Sequence, residues 1–194
     1  GNVSEPQFVE VKRIDNSRPT VVELTQDITD WTNKDVTVTI KTSTDCVAPE
    51  GWKQVNKRTF TKVFNANGEY SVTLTSVTGL TGDAHLFSIT NIDKEAPVID
   101  YAAIESANGY RKEIPVNEGE EYTEEKLVEM FTKPEWVSDN SGTATFKVDK
   151  WGLEHGLDGY QPFTSKTPGE YKVRFYAYDA AGNNSSFDVY VKVL

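Results

Sequence analysis

Apolar and polar residues alternate with period two through most of the chain. "DVTVTIKT" from Asp35 sets Val36, Val38 and Ile40 against Thr37, Thr39 and Lys41. That pattern gives a strand with one face in a core and one in water. "RTFTKVF" from Arg58, "EYSVTLT" from Glu69 and "HLFSIT" from His85 repeat it at intervals suited to a β-sandwich. Further along, "APVIDY", "ATFKVDK", "EYKVRFYAY" and "SFDVYVKV" do the same. Thr, Val and Tyr fill these runs, as they fill pleated half-buried surfaces. One segment breaks the period. "TEEKLVEMF" puts Thr123 at an N-cap position, acids in the first turn, and Leu127, Val128, Met130 and Phe131 on one side. It predicts a short helix that ends before Pro134 and plugs an end or edge of a sandwich.

Two echoes organise the chain. Ile14, Asp15 and Pro19 share a spacing with Ile92, Asp93 and Pro97, an offset of 97 − 19 = 78 residues. A residue before proline is pushed to extended geometry, which suits a crossover between domains. The second echo pairs "NGEYSVTLT" with "PGEYKVRFYAYD". In each, a glycine turn leads into Glu-Tyr and then alternation. Tyr70 and Tyr171 stand where a sandwich often carries a tyrosine bonded back to the backbone, an ordinary half-buried strand tyrosine being the alternative. The expected division is a leading strand or linker over 1–18, one sandwich over 19–95 and a second over 96–194. With 194 residues, two domains of about 100 residues are affordable in core size.

Composition narrows the partners. Thirty acids against 20 bases give a formal charge of −10, and most of the excess lies in residues 94–194, with 18 acids against 11 bases. Nucleic acid and anionic membrane would be repelled. No apolar run approaches the ~20 residues needed to span a bilayer, so no membrane insertion is expected. Cys46 is the only cysteine. It excludes an internal disulfide and reads as a small packed residue rather than a nucleophile. No run reads as a signal peptide; for an exported chain, one could have been removed ahead of Gly1.

At this point the residues resemble a family. "WTNKDVTVTI", "APEGWKQV", "FTKVFNANGEYSVTLT" and "TNIDKEAP", between Pro19 and Pro97, resemble the bacterial immunoglobulin-like domains found in tandem on Gram-positive surface and adhesin proteins. The chain departs from them at "TSVTGLTGD", where the usual Asp-x-x-Gly-Asn turn before the last strand is missing, so that turn must be held in another way. From Ala96 to Leu194, "NEGEEYTEEKLVEMF", "VSDNSG" and "TPGEYKVRFYAYDAAGN" are similar to Ig-like or cadherin-like surface modules, with the turn intact at Asp179–Asn183. The resemblance implies an all-β chain of two tandem Ig-like sandwiches in line, with a short helix in the second. It further implies an extracellular location on a bacterial cell surface or wall. The implied function is that of a non-catalytic spacer or cell-adhesion segment of a larger exported protein, as a monomer, with a host or cell-surface protein or glycan as partner.

Candidate chemistry is sparse. His85 and His155 fall in different units, and Glu154, His155 and Asp158 match no metal spacing. No nucleophile–base pair, phosphate loop or cofactor motif is visible, so neither catalysis nor a cofactor is expected. Asp139, Asn140, Asp179 and Asn183 sit in turns where oxygen clusters can bind calcium. Their simpler role is to bond nearby backbone amides, and no metal is expected there. Aromatic residues in glycine-rich loops carry the one binding expectation. Trp151, with Tyr160 and Phe163, and Trp52, after Pro-Glu-Gly, could stack on sugar rings. That gives the alternative function, an accessory carbohydrate-binding module of a secreted glycoside hydrolase. Against it, the simpler role of each tryptophan is to cap a sandwich core or its end.

Overall fold

The computed structural model describes residues 4, 16–114, 124–152 and 166–194. The fold is all-β, with two short α-helices among the described residues, and the chain divides into two units. The first comprises the described residues up to Thr29 together with Val36–Thr90. The second comprises Asp30–Asp35 and Asn91–Leu194. The short stretch Asp30–Asp35 thus leaves the first unit between two of its strands and joins the second.

In the first unit, β1 (Val21–Gln26), β2 (Val36–Thr42), β4 (Lys53–Asn56) and β5 (Thr59–Phe64) form an antiparallel sheet in the order β1-β2-β5-β4. Two ribbons belong to the same unit: β3 (Cys46–Val47) with β7 (Thr75–Ser76), and β6 (Gly68–Val72) with β8 (His85–Ile89). The alternation in β2 is realised, with Val36, Val38, Ile40 and Thr42 inside. Phe64 on β5 meets Tyr70 on β6 at 4.5 Å and Phe87 on β8 at 5.6 Å between ring centroids. These contacts join the sheet to the β6–β8 ribbon across a shared core.

The second unit has a sheet in the order β10-β14-β13-β12, from β10 (Arg111–Ile114), β12 (Ala144–Gly152), β13 (Gly169–Asp179) and β14 (Asn184–Val193). Its β10–β14 pair is parallel and the others antiparallel. A small ribbon pairs β9 (Val98–Ile99) with β11 (Val137–Ser138). Tyr171, Val173, Phe175 and Ala177 of β13 and Phe187, Val189, Val191 and Val193 of β14 point into one core. Phe175 stacks on Phe187 at 5.1 Å. The expected helix is α2 (Glu124–Phe131), whose Leu127 and Phe131 lie one turn apart and fully buried; Thr123 lies outside the described residues.

A second helix was not expected. "APVIDY" reads as one strand, yet β9 stops at Ile99 and α1 (Tyr101–Asn108) follows. The reason is local. The Asp100 carboxylate accepts the Ala103 amide at 2.9 Å as an N-cap, and Gly109 at φ 64° closes the helix on the Glu105 carbonyl. Ile104 then buries completely in the core.

Both echo tyrosines bond backwards. The Tyr70 hydroxyl donates to the Ala66 carbonyl and the Tyr171 hydroxyl to the Thr167 carbonyl, each at 2.8 Å. The turn that lacks its acid is also explained. In Asp179–Asn183 the aspartate Oδ1 accepts the Asn183 amide at 2.8 Å, and Gly182 adopts φ 88°. In 76–80 the Ser76 hydroxyl oxygen accepts the Leu80 amide at 3.0 Å, and Gly79 adopts φ 89°. A serine oxygen does in the first unit what an aspartate oxygen does in the second.

Candidate functional site

The inward row of β13 runs Tyr171, Val173, Phe175, Ala177, Asp179. Strict alternation therefore carries a carboxylate to the end of an apolar face, where it is 9% exposed. Its turn supplies its bonds: the Asn183 amide to Oδ1, and the Asn183 side-chain Nδ2 to Oδ2 at 2.7 Å. Just after β11, Asp139 opens another tight turn. Its Oδ1 accepts the Ser141 amide at 2.9 Å and the Ser141 hydroxyl. Both turns thus contain the local bonding that their sequence implies.

A third carboxylate completes the group. Asp93 lies in the stretch that enters the second unit, and it is only 4% exposed. Its amide donates to the Thr32 carbonyl and the Thr32 amide to the Asn91 carbonyl, both at 2.9 Å, so Ile92 forms a parallel bridge with Thr32. Asp93 Oδ1 accepts the Glu95 amide at 3.0 Å. Asp93 Oδ2 is buried and has no hydrogen-bond partner. One oxygen each from Asp93, Asp139 and Asp179 lies within 4.8 Å of the others.

Polar bonds lock the stretch against the two turns. Asn183 Nδ2 reaches the Asp93 carbonyl at 2.9 Å, Asn140 Nδ2 reaches Glu95 Oε2 at 2.9 Å, and the Ser185 hydroxyl donates to the Pro97 carbonyl at 2.6 Å. Among the described residues, the donors to the three carboxylates are all neutral amides and a hydroxyl. Lys94, the neighbour of Asp93 in sequence, pairs instead with Asp35 at 2.6 Å. The result is a concentrated negative charge with oxygen donors only, the donor chemistry of a hard cation rather than of zinc.

The aromatic candidates are placed differently. Trp52 is 8% exposed, with Phe64 and Phe87 against it at 6.3 Å in edge-on contacts. Of the two roles open to it, Trp52 takes the packed one: the turn after Pro49 folds the indole inward, where its area is worth more than in water. Trp151 has its backbone in β12 opposite Val173, and its side chain lies outside what is described, as does the whole of Tyr160. His85 sits on β8 in the first unit, and His155 lies outside the described residues. The structure therefore brings together Asp139 and Asp179, which the sequence marked, and Asp93, which it marked only as a junction residue.

No family model matches the chain. No curated protein matches it either. Among solved structures it is similar to protocadherin gamma B2 extracellular cadherin domains 3–6, with 16% identity over 91% of this chain and 50% of that one, at a TM-score of 0.30. It is also similar to the protocadherin gammaB7 EC3–6 cis-dimer structure, at 12% identity over 92% and 51%, TM-score 0.32. A third similar chain is the protocadherin gammaB4 extracellular domain, at 13% identity over 92% and 34%, TM-score 0.28. The chain spans about half or less of the length of these structures. Among the described residues no helix is long and apolar enough to cross a membrane.

Proposed function

We propose that the chain is a non-catalytic extracellular module, a spacer or cell-adhesion segment of a larger exported bacterial protein. One observation carries this reading: the same local architecture is built twice. Each unit has a tyrosine bonded four residues back, at Tyr70 and Tyr171. Each also has a five-residue glycine turn closed by a side-chain oxygen, at Ser76 and Asp179. Repetition of one β-domain plan within a chain is the economy of a tandem array, in which domains give reach and present loops or faces to a partner. The net charge of −10 suits a partner that is a protein or glycan of the cell exterior rather than nucleic acid.

Antibody against the purified chain provides the test on intact cells that express the parent protein. Surface labelling, lost after mild protease treatment of whole cells, is expected. Labelling only after lysis would sink the proposal. The isolated chain, coated on beads, should then retain host cells or a surface glycan in a saturable manner if it adheres. A spacer leaves the beads bare while still labelling at the surface.

A further inference from the structure

We propose that Asp93, Asp139 and Asp179 form a calcium-binding site that fastens the entry stretch of the second unit to two of its turns. The three carboxylates come from three separate segments and bring one oxygen each within 4.8 Å of the others. Like charges so close, with two of the three residues buried, repel unless something positive stands among them. The hydrogen bonds that reach them come from neutral donors.

The second observation is independent of the clustering. Asp93 is 4% exposed, and its Oδ2 has no hydrogen-bond partner. A buried polar atom without a partner is rare and calls for a ligand to explain it. Its other oxygen is already committed to the Glu95 amide, which holds the carboxylate in place. The fold spends its donors on orienting the carboxylates and leaves this oxygen for something else.

The donor set selects the ion. Zinc takes nitrogen and sulfur, and no histidine or cysteine belongs to the group. Magnesium keeps most of its water and commonly takes one or two carboxylates, whereas calcium accepts several carboxylate and carbonyl oxygens at about 2.3–2.6 Å in irregular geometry. Three carboxylates from three segments fit the second description. The ion would join Asp93 directly to the Asp139 and Asp179 turns, where at present Asn140, Asn183 and Ser185 make the connection.

Calorimetric titration of the chelator-treated full chain with calcium chloride, beside magnesium chloride, decides the matter. Saturable calcium binding is expected, at a Kd of about 10⁻³ M or tighter, as in extracellular calcium modules, together with a raised melting temperature. D139N, at the half-buried member, should weaken binding by about tenfold or more, since even outer-shell changes cost about 10–100-fold. Its melting temperature in chelator should stay unchanged or rise, because repulsion is relieved. No calcium heat, equal binding of magnesium, or unaltered binding by D139N would each overturn the site. Should D139N fail to fold, hydrogen exchange of the unaltered chain replaces it. Calcium must then slow the amides of Glu95, Ser141 and Asn183, and unchanged rates there would refute the proposal.

Discussion

At the scale of single residues, the two backward-bonded tyrosines are separable from the packing around them. Tyr171 is 1% exposed, and burial raises its phenol pKa above the ordinary 10. Replacing it with Phe keeps the ring and removes the bond to the Thr167 carbonyl. A loss of about 0.5–1.5 kcal/mol is expected for that bond, read from the urea midpoint of the second unit. No loss would mean that the tyrosine is held by packing alone. Asp188 is a different case, legible as a carboxylate on the outward row of β14. Arg174 grips it with two nitrogens at 2.6 and 2.9 Å, and Lys172 adds a contact at 3.0 Å. The hydrogen bond from Arg174 is the main cause that holds its pKa below the ordinary carboxylate value, partly opposed by burial. Because the folded pKa is the lower one, the stabilisation is present above the unfolded value and fades as pH falls through the folded value. D188N should therefore cost about 0.5–1 kcal/mol near neutral pH, allowing for solvent screening, and the difference from the parent should vanish in strong acid. A pH-independent difference would assign the effect to something other than ionisation.

At the scale of elements, legibility followed the source of each signal. β2 is plain in the sequence because Val36, Val38 and Ile40 bury on one side while Thr37 and Thr39 do not. The helix α2 is plain because Leu127 and Phe131 repeat at one turn. α1 is obscured because Val98 and Ile99 start an extended run, and the cap at Asp100 competes with a strand reading of Tyr101. An Asp100→Ala change tests that local cause. The helix should lose about 1 kcal/mol with the cap, within a range of about 0.5–2, measured as faster amide exchange at Ala103 and a lower midpoint. Unchanged exchange at Ala103 would mean that Ile104, fully buried, fixes the helix without the cap. The candidate site divides in the same way. Asp179 can be found by continuing the inward row of β13 by one step, and the turn chemistry of Asp139 can be read from its neighbours. Their meeting with Asp93 cannot, because it depends on how three segments distant in sequence come together. The placing of Trp52 was open for a related reason: glycine and proline around an aromatic announce a turn but not which way the ring faces.

For the whole molecule, the discontinuity of the second unit is the feature that sequence reading by contiguous domains could not supply. Thr32 is 7% exposed, and its backbone exchanges bonds with Asn91 and Asp93, while Ile92 is 6% exposed beside it. A fragment cut at the chain boundary, residues 91–194, keeps the described strands of the second unit but loses these two backbone bonds, the bond from Asn91 Nδ2 to the Asp30 carbonyl, the Lys94–Asp35 pair and the cover on Ile92. Three hydrogen bonds at about 1 kcal/mol each, with part of the apolar burial of Ile92, put the expected deficit at about 3–4 kcal/mol against the same unit in the full chain. Urea unfolding followed through the amides of β13 and β14 would measure both midpoints by the same probe. The fragment should also bind calcium more weakly, since Asp93 is held in place partly through Thr32. Equal midpoints would mean that Asp30–Asp35 rests alongside the unit without supporting it. A lower midpoint in the fragment that recovers in saturating calcium would show that the ion and Thr32 hold the same stretch of chain, each able to compensate for the other.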